Sequence, residues 1–366
     1  MKNLKTQGFV LLDTDVAALN NSGKDTLSAY DNAVGTKKIS KNGKTHVYVS
    51  GQAWRYWWRQ ALQNDWGWDM SPVDRKDKIA YTAADPVSYP DDDMFGYMRA
   101  TKEEKRDEEG NVIMKKGKKG NEAEMEDATV TRVSPMKNSA LVSVGSVAVA
   151  QAWSSMARVD GDAVPYRKDE YSAVLKGMFS IDLQQVGTFA SYNRTGYKNL
   201  TTAKHADAVR AGAEEIADET LKNTKGEAMK MMRLPKEIRL KRVTETLKAL
   251  KTLSGGAMQT SNYADVTPKF IVLATLQSGN HPFNHIVSSA GLYGNEMKFD
   301  AEALAEVLRD YADQIVGNVY IGHRKGFLDD CFSSLKKLET EFKNLKIGSV
   351  GQAIEDYSKE LVQWMP

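Results

Sequence analysis

Between Asn32 and Asn64 the chain has no Asp or Glu, yet it holds Lys37, Lys38, Lys41, Lys44, Arg55 and Arg59. Cations gathered without counter-charges form a local positive field, and the chemistry that suits it is anion binding. The second half of this window has order of its own. KTHVYVS alternates as a short strand, with Val47 and Val49 on one side and His46 and Tyr48 on the other. Ser50 then stands as the N-cap of a helix whose first turn is GQAW. On that helix Trp54, Trp57, Trp58 and Leu62 share an apolar face, while Gln52, Arg55 and Arg59 fall on the opposite one at i, i+3 and i+7. Two arginines four apart repel each other, and an anion between them relieves that repulsion. The free N–H groups of a helix start add to the attraction for phosphate. Taken singly, the lysines read as solvated surface and the tryptophans as core. Taken together, the basic loop, strand, capped helix and paired arginines read as an anion site for a nucleic-acid backbone.

A second acid-free stretch runs from Gly187 to His205, with Phe189, Tyr192 and Tyr197 interleaved among Arg194, Lys198 and Lys204. Alternating aromatics and cations suit single-stranded nucleic acid, whose bases stack while its phosphates pair. The competing reading is a loop anchored by buried aromatics. Ala128 to Val149 is also free of acids and has strand character, with Arg132 and Lys137 in it and Pro135 as an interruption. Gly255–Gly256 stops a helical pattern and frees the backbone to approach a phosphate closely.

Other chemistries lack their signatures. No G-x-x-x-x-G-K-(S/T), no G-x-G-x-x-G behind a strand and no H-E-x-x-H occurs, so no nucleotide cofactor or metal is expected. His281 and His285 sit four apart, but Pro282 and the missing Glu argue for structural histidines. Asp91–Asp92–Asp93 has no second carboxylate cluster at a readable spacing and reads as a solvated turn. Asp13, Asp15, Asp25 and Asp31 near the first strand and basic loop keep a metal-dependent ribonuclease open as an alternative.

The elements that must position these residues come from a chain of 366 residues, 41% hydrophobic, with 50 basic and 48 acidic side chains. That composition supports a sizeable core and excludes wholesale disorder. The single cysteine, Cys331, reads as a small core residue and rules out an internal disulfide or cysteine-built zinc site. MKNLKTQ lacks the apolar core of a signal peptide, and no apolar run reaches membrane-spanning length, so a cytoplasmic protein with no membrane partner is expected. Gly8 to Leu19 and Pro268 to Leu276 read as buried strands, and Lys176 to Val186 as an alternating one. Ala203–Leu221, Lys236–Leu253, and about 300–315, 328–345 and 352–364 read as helices. Thr101 to Asp127 is mixed in charge and poor in large apolar residues, and reads as a mobile insertion or a hairpin tip around Glu109–Gly110.

The segment VSGQAWR after a basic loop resembles the helix start of the Cas seven family in its DevR/Cst-like branch, the RNA-binding backbone subunits of type I CRISPR surveillance (Cascade) complexes. GFVLLDTDVAALN at Gly8–Asn20, RVSPMKNSALVSV at Arg132–Val144 and SGGAMQTSNYADVTPKFIVLATLQSGNHPF at Ser254–Phe283 resemble the family too, in its order. The resemblance implies an α+β fold with a modified RRM-like (ferredoxin-like) antiparallel palm, as one hand-shaped domain. Fingers would span about 64–175, including a flexible 101–127, a thumb 187–204, and the remaining palm and C-terminal helices 205–366. It implies CRISPR RNA, paired target DNA, further copies of the chain and other Cas subunits as partners, and a non-catalytic role. RNA contacts then fall on Asn20, Lys37, Lys38, Lys41, Lys44, Ser50, Gln52, Arg55 and Arg59. They continue through Arg132, Lys137, Asn138, Ser139, Phe189, Tyr192, Arg194, Lys198, Gly255, Gly256, Met258 and Gln259. Related type III subunits cut target RNA with an acidic loop residue, which is the ribonuclease alternative. A transcriptional regulator, suggested by the branch's historical name, is disfavoured because no helix-turn-helix stands out.

Overall fold

The computed structural model describes residues 3–24, 33–76, 79–100, 102–105, 111–117, 120–127, 129–156, 160, 162, 164–192 and 198–366. The chain divides into two compact units, one formed by 68–135 and 184–242, the other by 2–67, 136–183 and 243–366. The fold is mixed α+β, and its main sheet is mostly antiparallel.

The larger unit is built on that sheet, whose path runs Leu345–Gly348, Ile315–His323, Phe270–Leu276, Lys5–Ala17, Val164–Asp182, Leu141–Ser143, Lys44–Val49 and Lys38–Lys41. Only the Ile315–His323 to Leu345–Gly348 pairing is parallel along this path. Two strands expected to be buried lie at its centre, Lys5–Ala17 and Phe270–Leu276, and every residue of the latter is buried. Both faces of the sheet are covered, which is why these strands are apolar on both sides.

On one face the tryptophan helix, Gly51–Trp66, packs with Trp54, Trp57, Trp58, Ala61 and Leu62 buried. Trp54 and Trp58 meet Phe179 edge-on, with ring centroids 6.4 and 5.1 Å from it. Gly8 faces Phe179 across the strand pair, and a Cβ there would lie 2.1 Å from the Phe179 ring. Helix Val350–Trp364 covers the same face, where the Tyr357 hydroxyl is bonded to Thr6 and Thr275 at 2.8 and 2.9 Å. The opposite face packs Phe9, Leu11, Phe270 and Val272 against Phe283, Leu304, Leu335 and Leu338. Cys331 packs at the margin of this core, half-buried.

The smaller unit pairs Thr188–Ala190, Ala228–Arg233 and Glu214–Lys222 into a three-stranded sheet. Phe189, Leu200, Ala208, Met232 and Leu234 form its core. The helix expected over Ala203–Leu221 stops at Arg210, where Gly212 turns left-handed (φ 81°), and 214–222 becomes a strand. Cross-strand pairing with Ala228–Arg233 overrides the local helical pattern there. The helices expected over about 300–315 and 328–345 are the shorter Ala301–Asp310 and Phe332–Glu341, each followed by a sheet strand, Ile315–His323 and Leu345–Gly348. Between Thr101 and Asp127 the described pieces pair as β-ribbons, Lys102–Glu104 with Met125–Asp127 and Met114–Gly117 with Gly120–Ala123. The expected tip at Glu109–Gly110 lies outside the described residues. Among the described residues no helix is long and apolar enough to cross a membrane.

Candidate nucleic-acid interface

The start of the tryptophan helix is fixed from three directions. Ser50 is extended (φ −62°, ψ 149°) and its Oγ accepts the Ala53 N–H at 3.3 Å, the cap foreseen from sequence. Its own N–H donates to Asn20 Oδ1 at 2.9 Å. The Gly51 carbonyl receives Asn138 Nδ2 at 3.1 Å. No acidic residue lies in the first helical turn, so nothing there neutralises the positive end of the helix.

Arg55 is the centre of this arrangement. Its Nη1 donates to the Met136 carbonyl (2.9 Å) and to Asn138 Oδ1 (3.0 Å). Burial, and then the charge of Arg59 one turn on, push its guanidinium pKa down to about 10. A cation made less comfortable by burial and a second cation is a place where an incoming phosphate gains most. Gln52, on the same side of the helix, is exposed.

Gly255 and Gly256 close the neighbouring edge, and their smallness serves packing as directly as ligand approach. A Cβ on Gly255 would stand 2.3 Å from Trp57 Cγ, and one on Gly256 (φ 105°) 2.6 Å from Leu19 Cδ2. Ala257 N–H then bonds the Leu19 carbonyl at 3.0 Å, beside Asn20. Met258 is left-handed (φ 59°), and the Gln259 amide donates to the carbonyls of Gly255 and Ala264. Tyr56, Trp57, Gln60, Gly255, Gly256 and Gln259 line a cleft of about 490 Å³ between helix and loop. Asn20, Ser50, Arg55 and Asn138, from three separate stretches of sequence, are thus tied together at the helix start, while Gly255, Gly256 and Gln259 pack against the Trp57 side of the same helix and join the first group through the Ala257–Leu19 bond.

The lysines are divided. Lys38–Lys41 and Lys44–Val49 form a hairpin turning at Asn42–Gly43. Lys41 is exposed and Lys37 half-buried, but Lys38 pairs with Asp169 at 2.8 Å and Lys44 holds the Tyr293 carbonyl at 2.8 Å. Lys137 is exposed and, by strand alternation, points away from the side on which Asn138 meets Gly51. Ser139 Oγ is engaged by the Ala140 carbonyl and the Met178 N–H. Lys176 joins this group without having been singled out from sequence. Burial and the charge of Lys41 lower its pKa, so the two ammonium groups share a neighbourhood. It sits well inside the strand Val164–Asp182 and also donates to the Asn284 carbonyl at 3.1 Å.

In the smaller unit the expected contacts Arg132, Phe189 and Tyr192 lie inside rather than on the surface. Arg132 is 5% exposed and ion-paired with the fully buried Asp93, and it donates to the carbonyls of Thr188 (3.0 Å) and Gln185 (2.8 Å). Arg242 Nη1 reaches the second Asp93 oxygen at 2.5 Å, and the Gly187 N–H bonds that oxygen at 2.9 Å. Asp91, Asp92 and Asp93 are therefore buried, not a solvated turn, and burial raises the Asp92 carboxyl above its ordinary range. Phe189 is wholly buried beneath the Arg132 guanidinium (4.7 Å), and the Tyr192 hydroxyl donates to Asp218 at 3.1 Å. Lys204 pairs with Asp85 (2.6 Å) and Asp207 (3.0 Å). Each counter-charge is far off in sequence or beyond the acid-free window, which is why the window looked unpaired. Lys198 is half-buried and bridges to Ser191, while Arg194 and Tyr197 lie outside the described residues.

His281 is a structural histidine, as expected: its Nε2 bonds the Gly8 carbonyl at 2.8 Å and its ring meets Phe283 edge-on. Among the described residues no group of three or more His, Cys, Asp or Glu side chains could hold a metal ion. Asp25 and Asp31 lie outside the described residues.

Two solved structures share this fold across almost the whole chain. One, described as "CRISPR RNA-guided surveillance complex", is 12% identical with a TM-score of 0.51, covering 97% of this chain and 99% of its own. Another, "CRISPR RNA-guided surveillance complex, pre-nicking", is 10% identical with a TM-score of 0.51, covering 99% and 100%. No protein of curated function matches the sequence. The family model "CRISPR-associated negative auto-regulator DevR/Csa2" matches residues 14–298, which span the capped helix, the Asn138 strand and the Gly255–Gly256 loop. The chain belongs to the DevR/Csa2 family of CRISPR-associated proteins.

Proposed function

We propose that the protein is the RNA-binding backbone subunit of a Cascade-type CRISPR surveillance complex. The observation that carries the reading is the flank of the tryptophan helix. An acid-free helix start, Arg55 repelled by Arg59, and three loops tied to one another by Asn20 and Asn138 form a preorganised seat for an RNA phosphate. The helix start offers backbone N–H groups, side-chain amides and cations, so the seat reads backbone and leaves sequence to base pairing. Family membership and the fold shared with surveillance-complex chains support the same reading.

Its partners are then a CRISPR RNA, target DNA paired to that guide, other Cas subunits, and further copies of itself laid side by side along the RNA. Its role is to hold and present the guide, without catalysis of its own. The test is purification from the host. Small RNAs of uniform length sharing a repeat-derived end should accompany the protein. With guide, complementary RNA and magnesium, the purified protein should leave both strands intact. Cutting that is lost on Asp13→Ala, Asp25→Ala or Asp31→Ala would instead make it a ribonuclease.

A further inference from the structure

Among the described residues other than glycine, six have a positive φ: Val16, Asn42, Ala84, Met258, Tyr263 and Leu328. Three of the six meet at one corner. Met258 (φ 59°) precedes and Tyr263 (φ 47°, ψ 43°) follows the single helical turn Gln259–Asn262. The Asn262 side-chain amide donates to the carbonyl of Val16 (φ 42°) at 2.8 Å. A valine and a tyrosine are costly choices for left-handed backbone, and such strain persists only where the surroundings dictate it.

The surroundings do dictate it. Asn262 Nδ2 also donates to Glu170 Oε1 (3.0 Å), and its Oδ1 accepts from Lys168 Nζ (3.1 Å). Gln259 is tied to the carbonyls of Gly255 and Ala264, and its own carbonyl receives the Tyr263 N–H at 2.9 Å. All this bonding maintains a turn whose product is a tyrosine ring standing in water. Tyr263 is 92% exposed, more than any other large hydrophobic side chain described. The ring contributes no packing to offset the strain that places it, so its use is external.

Its location says what that use is. Gln259, whose carbonyl holds Tyr263, lines the cleft beside Trp57, and Ala257 bonds Leu19, the neighbour of Asn20 that holds Ser50. Tyr263 thus ends the turn whose Gln259 lines that cleft, on the loop joined through Leu19 to the Asn20 that holds the helix start. An aromatic face next to a backbone-binding site is the arrangement that takes a nucleobase, and stacking is indifferent to which base it takes.

Resting on the RNA-binding reading, we propose that Tyr263 is a stacking platform for an unpaired base of the bound RNA, held out by the strained Met258–Asn262–Val16 corner. The test compares a short oligouridine with an abasic oligonucleotide of equal length and charge, using the full chain. Tyr263→Ala should weaken oligouridine binding by about 5- to 150-fold, leave the salt slope unchanged, and leave abasic binding unchanged. Tyr263→Phe and Tyr263→Trp should retain affinity. Tyr263→Gly should bind as weakly as the Ala variant while unfolding at a higher temperature, because glycine adopts φ 47° without strain.

Wild-type affinity for oligouridine in the Ala variant overturns the stacking role while leaving the phosphate seat standing. So does an equal loss for both oligonucleotides. Loss of self-association with single-subunit RNA binding intact assigns the ring to a protein contact and also overturns it. If the wild-type chain binds neither oligonucleotide, the RNA-binding reading fails first and this one with it.

Discussion

Arg55 and Asn138, 83 residues apart in sequence, share a 3.0 Å hydrogen bond from guanidinium to amide oxygen, while the Asn138 amide nitrogen holds the Gly51 carbonyl at 3.1 Å. One asparagine thus fixes both the first carbonyl of the tryptophan helix and the arginine on its flank. That pairing orients the guanidinium before any ligand arrives, which lowers the ordering cost of binding.

The double substitution Arg55→Ala, Arg59→Ala should weaken RNA binding without unfolding the chain, since Trp54, Trp57 and Trp58 keep their packing. For every phosphate that the variant no longer neutralises, the plot of log affinity against log salt should flatten by roughly 0.7 for single-stranded RNA. A gel-shift series over salt concentration measures this, and an unchanged slope would count against a phosphate at this flank.

Asp93 takes both Arg132 and Arg242 and is itself wholly buried. Asp93→Ala leaves two buried guanidinium groups without their carboxylate and should cost about 3–5 kcal/mol of stability. Urea unfolding is the measurement. A loss under about 1 kcal/mol would place the cluster among weak surface pairs.

Phe189, Leu200 and Tyr192 are buried, so the exchange is confined to residues between Tyr192 and Leu200. Replacing residues 193–197, which include Arg194 and Tyr197, with a Gly/Ser linker should leave the melting temperature within a few degrees. Assembly on a full-length guide should fall further than binding to a short oligonucleotide, because the deficit recurs at every subunit junction. Sedimentation with short and long RNA separates these outcomes, and equal weakening on both would remove the segment from inter-subunit contact.

Burial lowers the His281 pKa below its ordinary 6.5. The unfolded chain therefore binds this proton more readily than the folded one, and stability falls as pH drops from about 6.5 toward the lower folded value. Above 6.5 both states are neutral and the effect vanishes. Denaturant midpoints between about pH 7.5 and 5 should decline more steeply for the wild type than for His281→Gln. Parallel curves would assign the acid sensitivity elsewhere.

What the sequence determined alone is what depends on neighbours a few residues away. The Ser50 cap, the tryptophan face, the opposing Arg55 and Arg59, and the buried runs of the two central strands follow from helical and strand periodicity acting over one or two turns. The tertiary structure decided everything that depends on distant partners. Charge is the plainest case: Arg132 and Lys204 looked unpaired because Asp93 and Asp85 are remote along the chain, and burial with Asp93 turned Arg132 from an expected contact into an interior strut. Residues 214–222 have composition enough for a helix, and only pairing with Ala228–Arg233 made them a strand. Tyr263 carried no periodic signal at all. Its exposure comes from a left-handed backbone imposed by Asn262 and Gln259, and such a conformation is set by hydrogen bonds that no local pattern encodes.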